Sequence, residues 1–208
     1  VLSISETASG VLVKTAAGDY AAAKVIVTAG PWVPGLAGGR VAGNLRVMRQ
    51  VLHWFETTQP QRYHPSRCPV FIWMHGERDE DYLYGFPMVD GKDGVKVATE
   101  QYDETCDPDA MNRLVSDDES QAMYARNVAG RLKYVEPRTV HRAACMYTVS
   151  SDSGFIVDRY QDMENGLVVS ACSGHGFKNS AGLGESLALK LMGEPTPGLA
   201  PFAVSRFA

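Results

Sequence analysis

The sequence predicts an α+β fold: a mixed β-sheet layer with few helices, to which a strand, a glycine turn and a helix of α/β type are appended. Three observations predict it. Short apolar runs bounded by Gly, Pro, Asn and Asp recur along most of the 208 residues. Helix signals are sparse by comparison. Near the C-terminus the apolar run "GLVVSA" passes through "CSGHGF" directly into a helix-like pattern. With 45% apolar and 21% charged residues, the chain can bury a sizeable core.

Residues 11–15 and 24–28 form the first predicted strands, with a turn around Gly18 and Asp19. The second is apolar on both faces and is expected to be buried. It stops at Ala29-Gly30, where glycine permits close backbone approach, and Pro31 can open a short helix. "LRVMRQVLHWFETT" is a long strand, "PQRYHPSRCP" a loop, and "VFIWMHG", "DYLYGFP" and "GVKVATE" are three further strands. Ser116 followed three residues later by Glu119 is a capping box, which starts a helix over about residues 117–131. "VHRAACMYTVSS", "GFIVD" and "GLVVSA" are strands, and a helix follows over about residues 180–192. There is no internal repeat and no low-complexity segment.

Lys and Arg number 20 against 24 Asp and Glu, a net charge of -4 without a basic block, so neither nucleic acid nor an anionic membrane is an expected partner. No apolar run approaches the ~20 residues that span a bilayer. Cys68, Cys106, Cys145 and Cys172 lack CxxC spacing, which fits a reducing cytoplasm. His53, Cys68 and His75 are spaced by 15 and 7 residues, matching no common metal site, so no metal is expected. Ser173 and Ser180 near His175 make no hydrolase elbow, since GxSxG is absent. The acidic "ERDEDY" reads as a solvated turn, and Trp32, Trp54 and Trp73 as core or interface aromatics. The chain opens at "VLSISETASG" without methionine and reads as a piece of something longer; no signal peptide is visible. Small-molecule chemistry is the class that remains.

Four places could carry it. Gly174, His175 and Gly176 sit where a strand hands over to a helix, a junction that can meet an electron-rich ligand or be only a turn. Cys145 lies in a strand, on one face with His141 and Ala143 and not with Arg142. On composition it reads as a buried core cysteine, or as a thiolate if a cation lies close by. Lys96 interrupts an apolar strand, where a lysine usually faces solvent. Tyr84 and Tyr147 are strand tyrosines, either ligand-facing or half-buried core.

"VIVTAGPW", "YLYGFP", "GVKVATE", "CMYT", "GFIVD", "SGHGFK" and "PFAVSRF" occur in an order that resembles the monomeric sarcosine oxidase and N-methyltryptophan oxidase family of FAD-dependent amine oxidases. The resemblance covers nearly the whole chain and corresponds to the C-terminal half or somewhat more of such an enzyme; the N-terminal GxGxxG element is absent. It implies that residues 1–43 and 151–208 belong to an FAD-binding domain and residues 44–150 to a substrate domain. It also implies FAD attached covalently through Cys145, by a thioether to the 8α-methyl carbon, and Lys96 over the flavin near N5, where dioxygen is reduced. Gly174, His175, Gly176 and Phe177 would approach the pyrimidine edge, with the following helix aimed at N1 and O2. Ala29, Gly30 and Trp32 would lie on the FAD side. Lys178 would serve both cofactor and substrate carboxylate, and Tyr84 and Tyr147 would flank the substrate. Glu100 departs from the pattern: sarcosine-oxidising members carry histidine there, and a glutamate would favour a larger or more cationic substrate, or none of the known ones, so specificity stays open.

The expected activity is oxidation of a secondary amine, an N-methyl amino acid or cyclic imino acid, to an imine, with dioxygen reduced to hydrogen peroxide. The expected partners are that small substrate and O2, and the resemblance favours a monomer. Two other readings stay open: a flavin dehydrogenase using another acceptor, and a non-catalytic carboxylate-binding domain.

Overall fold

The computed structural model describes residues 1–78, 80–89 and 94–207, so Asp79 of the acidic turn and residues 90–93 of the turn before "GVKVATE" lie outside the described residues. The chain divides into two compact units, Val1–Val47 with Tyr147–Ala208, and Met48–Met146.

In the first unit, β1 (Ser3–Thr7), β2 (Gly10–Thr15) and β3 (Gly18–Ala22) form an antiparallel meander. Gly18 and Asp19 therefore begin a strand, and the turn falls at Ala16 and Ala17. β3 is exposed along its whole length, so it lacks the apolar alternation by which a strand is recognised. β4 (Val25–Val27) is shorter than expected and pairs in parallel with β11 (Gly166–Ser170), which is buried throughout and pairs antiparallel with β10 (Ile156–Arg159). Parallel pairing needs a long crossover, and here the whole of the second unit is inserted between the two strands in sequence. After β4 the chain makes a helical turn at Gly30–Trp32 and two short helices, α1 (Val33–Ala37) and α2 (Gly39–Gly43). Val33, Val41, Ile156 and Val168 build the core on one side of this sheet. On its other side Val157, Leu167 and Val169 pack with Leu187 of α4 (Ser180–Met192).

The second unit is built on a five-stranded sheet ordered β6 (Phe71–Met74), β7 (Tyr82–Phe86), β8 (Val95–Ala98), β5 (Leu45–Thr57) and β9 (Val135–Ser150), the last two running beyond the unit. Register fixes its faces. His53 pairs with Val97 and Val97 with Gly85, whereas Trp54 pairs with Lys96 and Lys96 with Phe86. The first row, with Phe55, Leu83 and Val95, is buried under Met123 and Val128. The second row is only half-buried.

Helix α3 (Asp117–Met123) covers the buried row. Ser116 caps it through the Glu119 N–H, and the Glu119 carboxylate returns to the Ser116 N–H, the expected capping box. The helix does not continue in α form to residue 131. From Tyr124 to Val128 it widens into a π-turn, closed by the Ala129 N–H on the Tyr124 carbonyl at 2.8 Å, and Gly130 leaves it at φ +74°. The widened turn aims Asn127 at the His75 ring, 3.2 Å away. Among the described residues no helix is long and apolar enough to cross a membrane.

His53 is 3% exposed, stacked on Phe55, and its Nδ1 has no hydrogen-bond partner among the described residues. Burial lowers its pKa to about 4, against a smaller upward pull from Glu119. The ring is thus neutral when folded and takes a proton on unfolding between about pH 6.5 and pH 4. Stability contributed by this site is present above pH 6.5 and falls as pH drops through that window, by about 3 kcal/mol in all. In thermal melts from pH 7 to pH 4, His53→Gln is expected to lose this component of the pH dependence; parallel curves for wild type and variant would contradict it.

Candidate functional site

The half-buried face of the second unit's sheet gathers several of the residues singled out in the sequence. Lys96 lies in β8 between its register partners, with Nζ 5.3 Å from the Trp54 ring centroid and 4.7 Å from that of Phe86. The ammonium is therefore held between two aromatic rings, an arrangement that limits its reach. Tyr84 belongs to the next row of the same face, paired with Ala98. His141 of β9 meets Trp54 with centroids 4.7 Å apart. Strand alternation then puts Ala143 and Cys145 on that face too. Arg142 takes the opposite face, where it pairs with Asp117 at 2.6 Å, so it is committed to helix α3. His141, and not Arg142, shares the Cys145 face, as alternation requires. None of the four cysteines forms a disulfide.

Glu100 follows β8 in the same alternation as Lys96. Its Oε2 accepts hydrogen bonds from the hydroxyls of Tyr82 at 3.0 Å and Tyr102 at 2.6 Å. Burial, reinforced by that carboxylate, pushes both phenols well above the usual tyrosine range, so they remain donors. These three residues line a cavity of about 590 Å³ together with Glu80, Asp103 and Arg126.

The first unit carries the glycine junction. Gly174 (φ +79°) sits in a turn whose backbone is closed by the His175 N–H on the Cys172 carbonyl at 2.9 Å. Gly176 can only be glycine, because a Cβ there would stand 1.7 Å from the Ala171 carbonyl oxygen. His175 turns its ring away from the crevice beside it: Nε2 lies 2.8 Å from the Ser153 carbonyl and the ring stacks on Phe155. Lys178 folds back, its Nζ donating to the His175 carbonyl at 3.1 Å. Phe177 is 94% exposed. Tyr147 is half-buried in β9, and Trp32 and Trp73 are exposed at 42% and 41%, so neither tryptophan is core.

Thr28, Gly30, Ala171, Gly176, Ser180 and Gly184 line a crevice of about 330 Å³ at the C-terminal ends of the parallel strands β4 and β11 and the start of α4. Ligands of open α/β sheets bind at such strand ends. Gly30 holds φ +53° with open space where a side chain would be, and Ala29 and Trp32 line a second recess of about 520 Å³. Sequence reasoning passed over Thr148, the last residue of "CMYT". Its hydroxyl is buried without a hydrogen-bond partner among the described residues, while its carbonyl accepts the Ser173 N–H of the turn at 3.0 Å. The small walls and helix start of the crevice fit a flat, electron-rich group such as a flavin. No group of three or more potential metal ligands occurs among the described residues.

The comparisons with known proteins agree with that chemistry. Residues 1–189 match the family described as FAD dependent oxidoreductase. The chain is 33% identical over 207 residues to the monomeric sarcosine oxidase of Streptomyces avermitilis, covering 96% of this chain and 52% of that protein. It is 34% identical over 209 residues to the N-methyl-L-tryptophan oxidase of Salmonella typhi, covering 96% and 52%. The chain thus spans about half the length of the curated relatives it matches. Among solved structures, NikD, an amino acid oxidase essential for nikkomycin biosynthesis, superposes with a TM-score of 0.74 at 19% identity over 97% of this chain and 53% of its own. Amadoriase I of Aspergillus fumigatus gives 0.74 at 15% identity over 98% and 48%. At those identities the likeness is one of fold, and the sequence match carries the assignment: the chain belongs to the FAD dependent oxidoreductase family.

Proposed function

We propose that the chain is the C-terminal part of an FAD-dependent amine oxidase that converts a secondary amine, an N-methyl amino acid or a cyclic imino acid, to an imine and reduces O2 to hydrogen peroxide. The observation that carries this reading is Lys96, an ammonium fixed between Trp54 and Phe86 on a sheet face that its own unit leaves half-covered. Family membership and the names of the sarcosine and N-methyltryptophan oxidases support the substrate class.

When bound, the flavin supplies the redox chemistry, accepting a hydride equivalent from the carbon next to nitrogen and passing the electrons to dioxygen. The protein's own residues supply charge and orientation. Lys96 stabilises the negative charge that develops as dioxygen is reduced. Tyr84 and Tyr147 orient the amine, and Lys178, released from the His175 carbonyl, receives the substrate carboxylate. The walls at Ala29, Gly30, Trp32 and the Gly174–Gly176 turn would hold the cofactor. Cys145, the cysteine of "CMYT" on the half-buried strand face, is the site of covalent attachment, which requires its thiolate. The substrate and O2 are the partners, a single copy suffices, and cysteines without disulfides suit a reducing compartment such as the cytoplasm.

Two outcomes test the reading in the native protein. Lys96→Met should slow flavin reoxidation by O2 by roughly a hundredfold or more, the scale of losing one electrostatic stabiliser, while flavin reduction by substrate changes far less. Stopped-flow traces with equal losses in both half-reactions would remove Lys96 from the oxygen step. Gly176→Ala should force the turn off the Ala171 carbonyl at about 1–3 kcal/mol and release flavin on gel filtration. Full flavin retention by that variant would separate the turn from the cofactor.

A further inference from the structure

The turn that leads into α4 is held in a conformation it would not adopt alone. Ser173 lies at φ +44° and Gly174 at φ +79°. A non-glycine residue in the left-handed region persists only where its surroundings over-determine it. Part of that hold is local, from the Ser150 N–H donating to Ser173 Oγ at 3.3 Å. The rest passes through His175. Its Nε2 lies 2.8 Å from the Ser153 carbonyl, which can only accept, so the proton is assigned to Nε2. The ring is further fixed by stacking on Phe155, with centroids 5.0 Å apart and planes at 26°.

The Ser153 carbonyl is itself placed by a carboxylate. Asp152 Oδ1 accepts from Ser150 Oγ at 3.0 Å and from the Gly154 N–H at 3.0 Å, closing the 150–154 turn in which Ser153 sits at φ +59°. Arg206, 54 residues away, grips the same carboxylate with two parallel bonds, Nε to Oδ2 at 2.8 Å and Nη2 to Oδ1 at 3.0 Å. The guanidinium is oriented by the Ala203 carbonyl at 3.2 Å and by the Phe207 ring beneath it, 4.2 Å from centroid to Cζ. Arg206 holds the Asp152 carboxyl far below the usual carboxylate range.

We propose that Arg206 and Asp152 are positioning residues: through the Ser153 carbonyl and the His175 ring, the C-terminal segment sets the geometry of the Gly174–Gly176 turn. The inference rests on the reading of that turn as a flavin-binding wall. The side chains of the pair are 22% and 45% exposed, so their attraction adds little to global stability, and their effect is local. The chain of contacts runs from Arg206 to Asp152, to the Ser153 carbonyl, to His175, and so to the backbone that carries Gly174 and Gly176.

The test compares wild type, Arg206→Gln and Asp152→Asn of the native protein by hydrogen exchange, thermal melting and visible flavin spectrum. Asp152→Asn can keep the Oδ1 acceptor while it removes the charge and the Oδ2 acceptor of Arg206 Nε, so it serves if Arg206→Gln folds poorly. The expected result is exchange about tenfold faster over residues 172–178, a melt lowered by no more than about 4 °C, and a shifted flavin absorption band. Arg206→Lys, which keeps the charge but not the paired bonds, should fall between. Unchanged exchange over 172–178 in both variants would overturn the proposal, as would acceleration spread evenly over the whole fold. If wild type binds no flavin, the functional reading fails, and the exchange result still decides whether the pair sets the turn.

Discussion

The constraint on which the second unit depends is that its sheet has a core on one face only. α3 and the π-turn after it bring Met123 and Val128 onto the row of Phe55, Leu83, Val95 and Val97, and that packing fixes the register of all five strands. Period-two alternation then leaves every second side chain on the other face, where Lys96, Trp54, Phe86 and Tyr84 stand half-buried. A slip of one residue would bury Lys96 and expose Val95 and Val97. Packing on one side thereby determines which chemistry is presented on the other. The capping box at Ser116 and the salt bridges of Arg49 to Glu119 and Arg142 to Asp117 bind the helix to the sheet and support that choice.

The first unit solves a different problem with backbone in place of side chains. Two parallel strands end at Val27 and Ser170, and the chain leaves each through glycine, at Gly30 and through the Gly174–Gly176 turn. Small residues keep the crevice open, and the close approach of Gly176 to the Ala171 carbonyl excludes any larger side chain. Among the described residues that line the crevice none is charged, and Lys178 is folded back on its own turn. In the second unit, by contrast, the Glu100 carboxylate is held by two tyrosine hydroxyls.

Local chemistry made much of this legible. The capping box, the long strand from Leu45, the buried run of β11 and the strand–turn–helix at the C-terminus each follow from residue pattern within a short window. β3 was not legible because it is exposed on both faces and carries small residues, and the π-turn because it answers to the Asn127–His75 contact across 52 residues. Lys96 could be picked out as a lysine in an apolar strand, but its two flanking rings come from other strands and only register brings them together. The Arg206–Asp152 pair and the buried hydroxyl of Thr148 had no local signal at all. Pattern reports which face a residue takes; it does not report what stands opposite.

The proposed oxidation of a secondary amine with FAD and dioxygen underlies every site role given above. Its most direct test is a visible spectrum of the native protein under nitrogen, before and after addition of sarcosine, N-methyltryptophan or a cyclic imino acid, followed by air. The account predicts a flavin band that bleaches with one of these amines and returns on aeration with one hydrogen peroxide formed per flavin. A flavin band that none of them bleaches, or a bleached band that air does not restore, would contradict it.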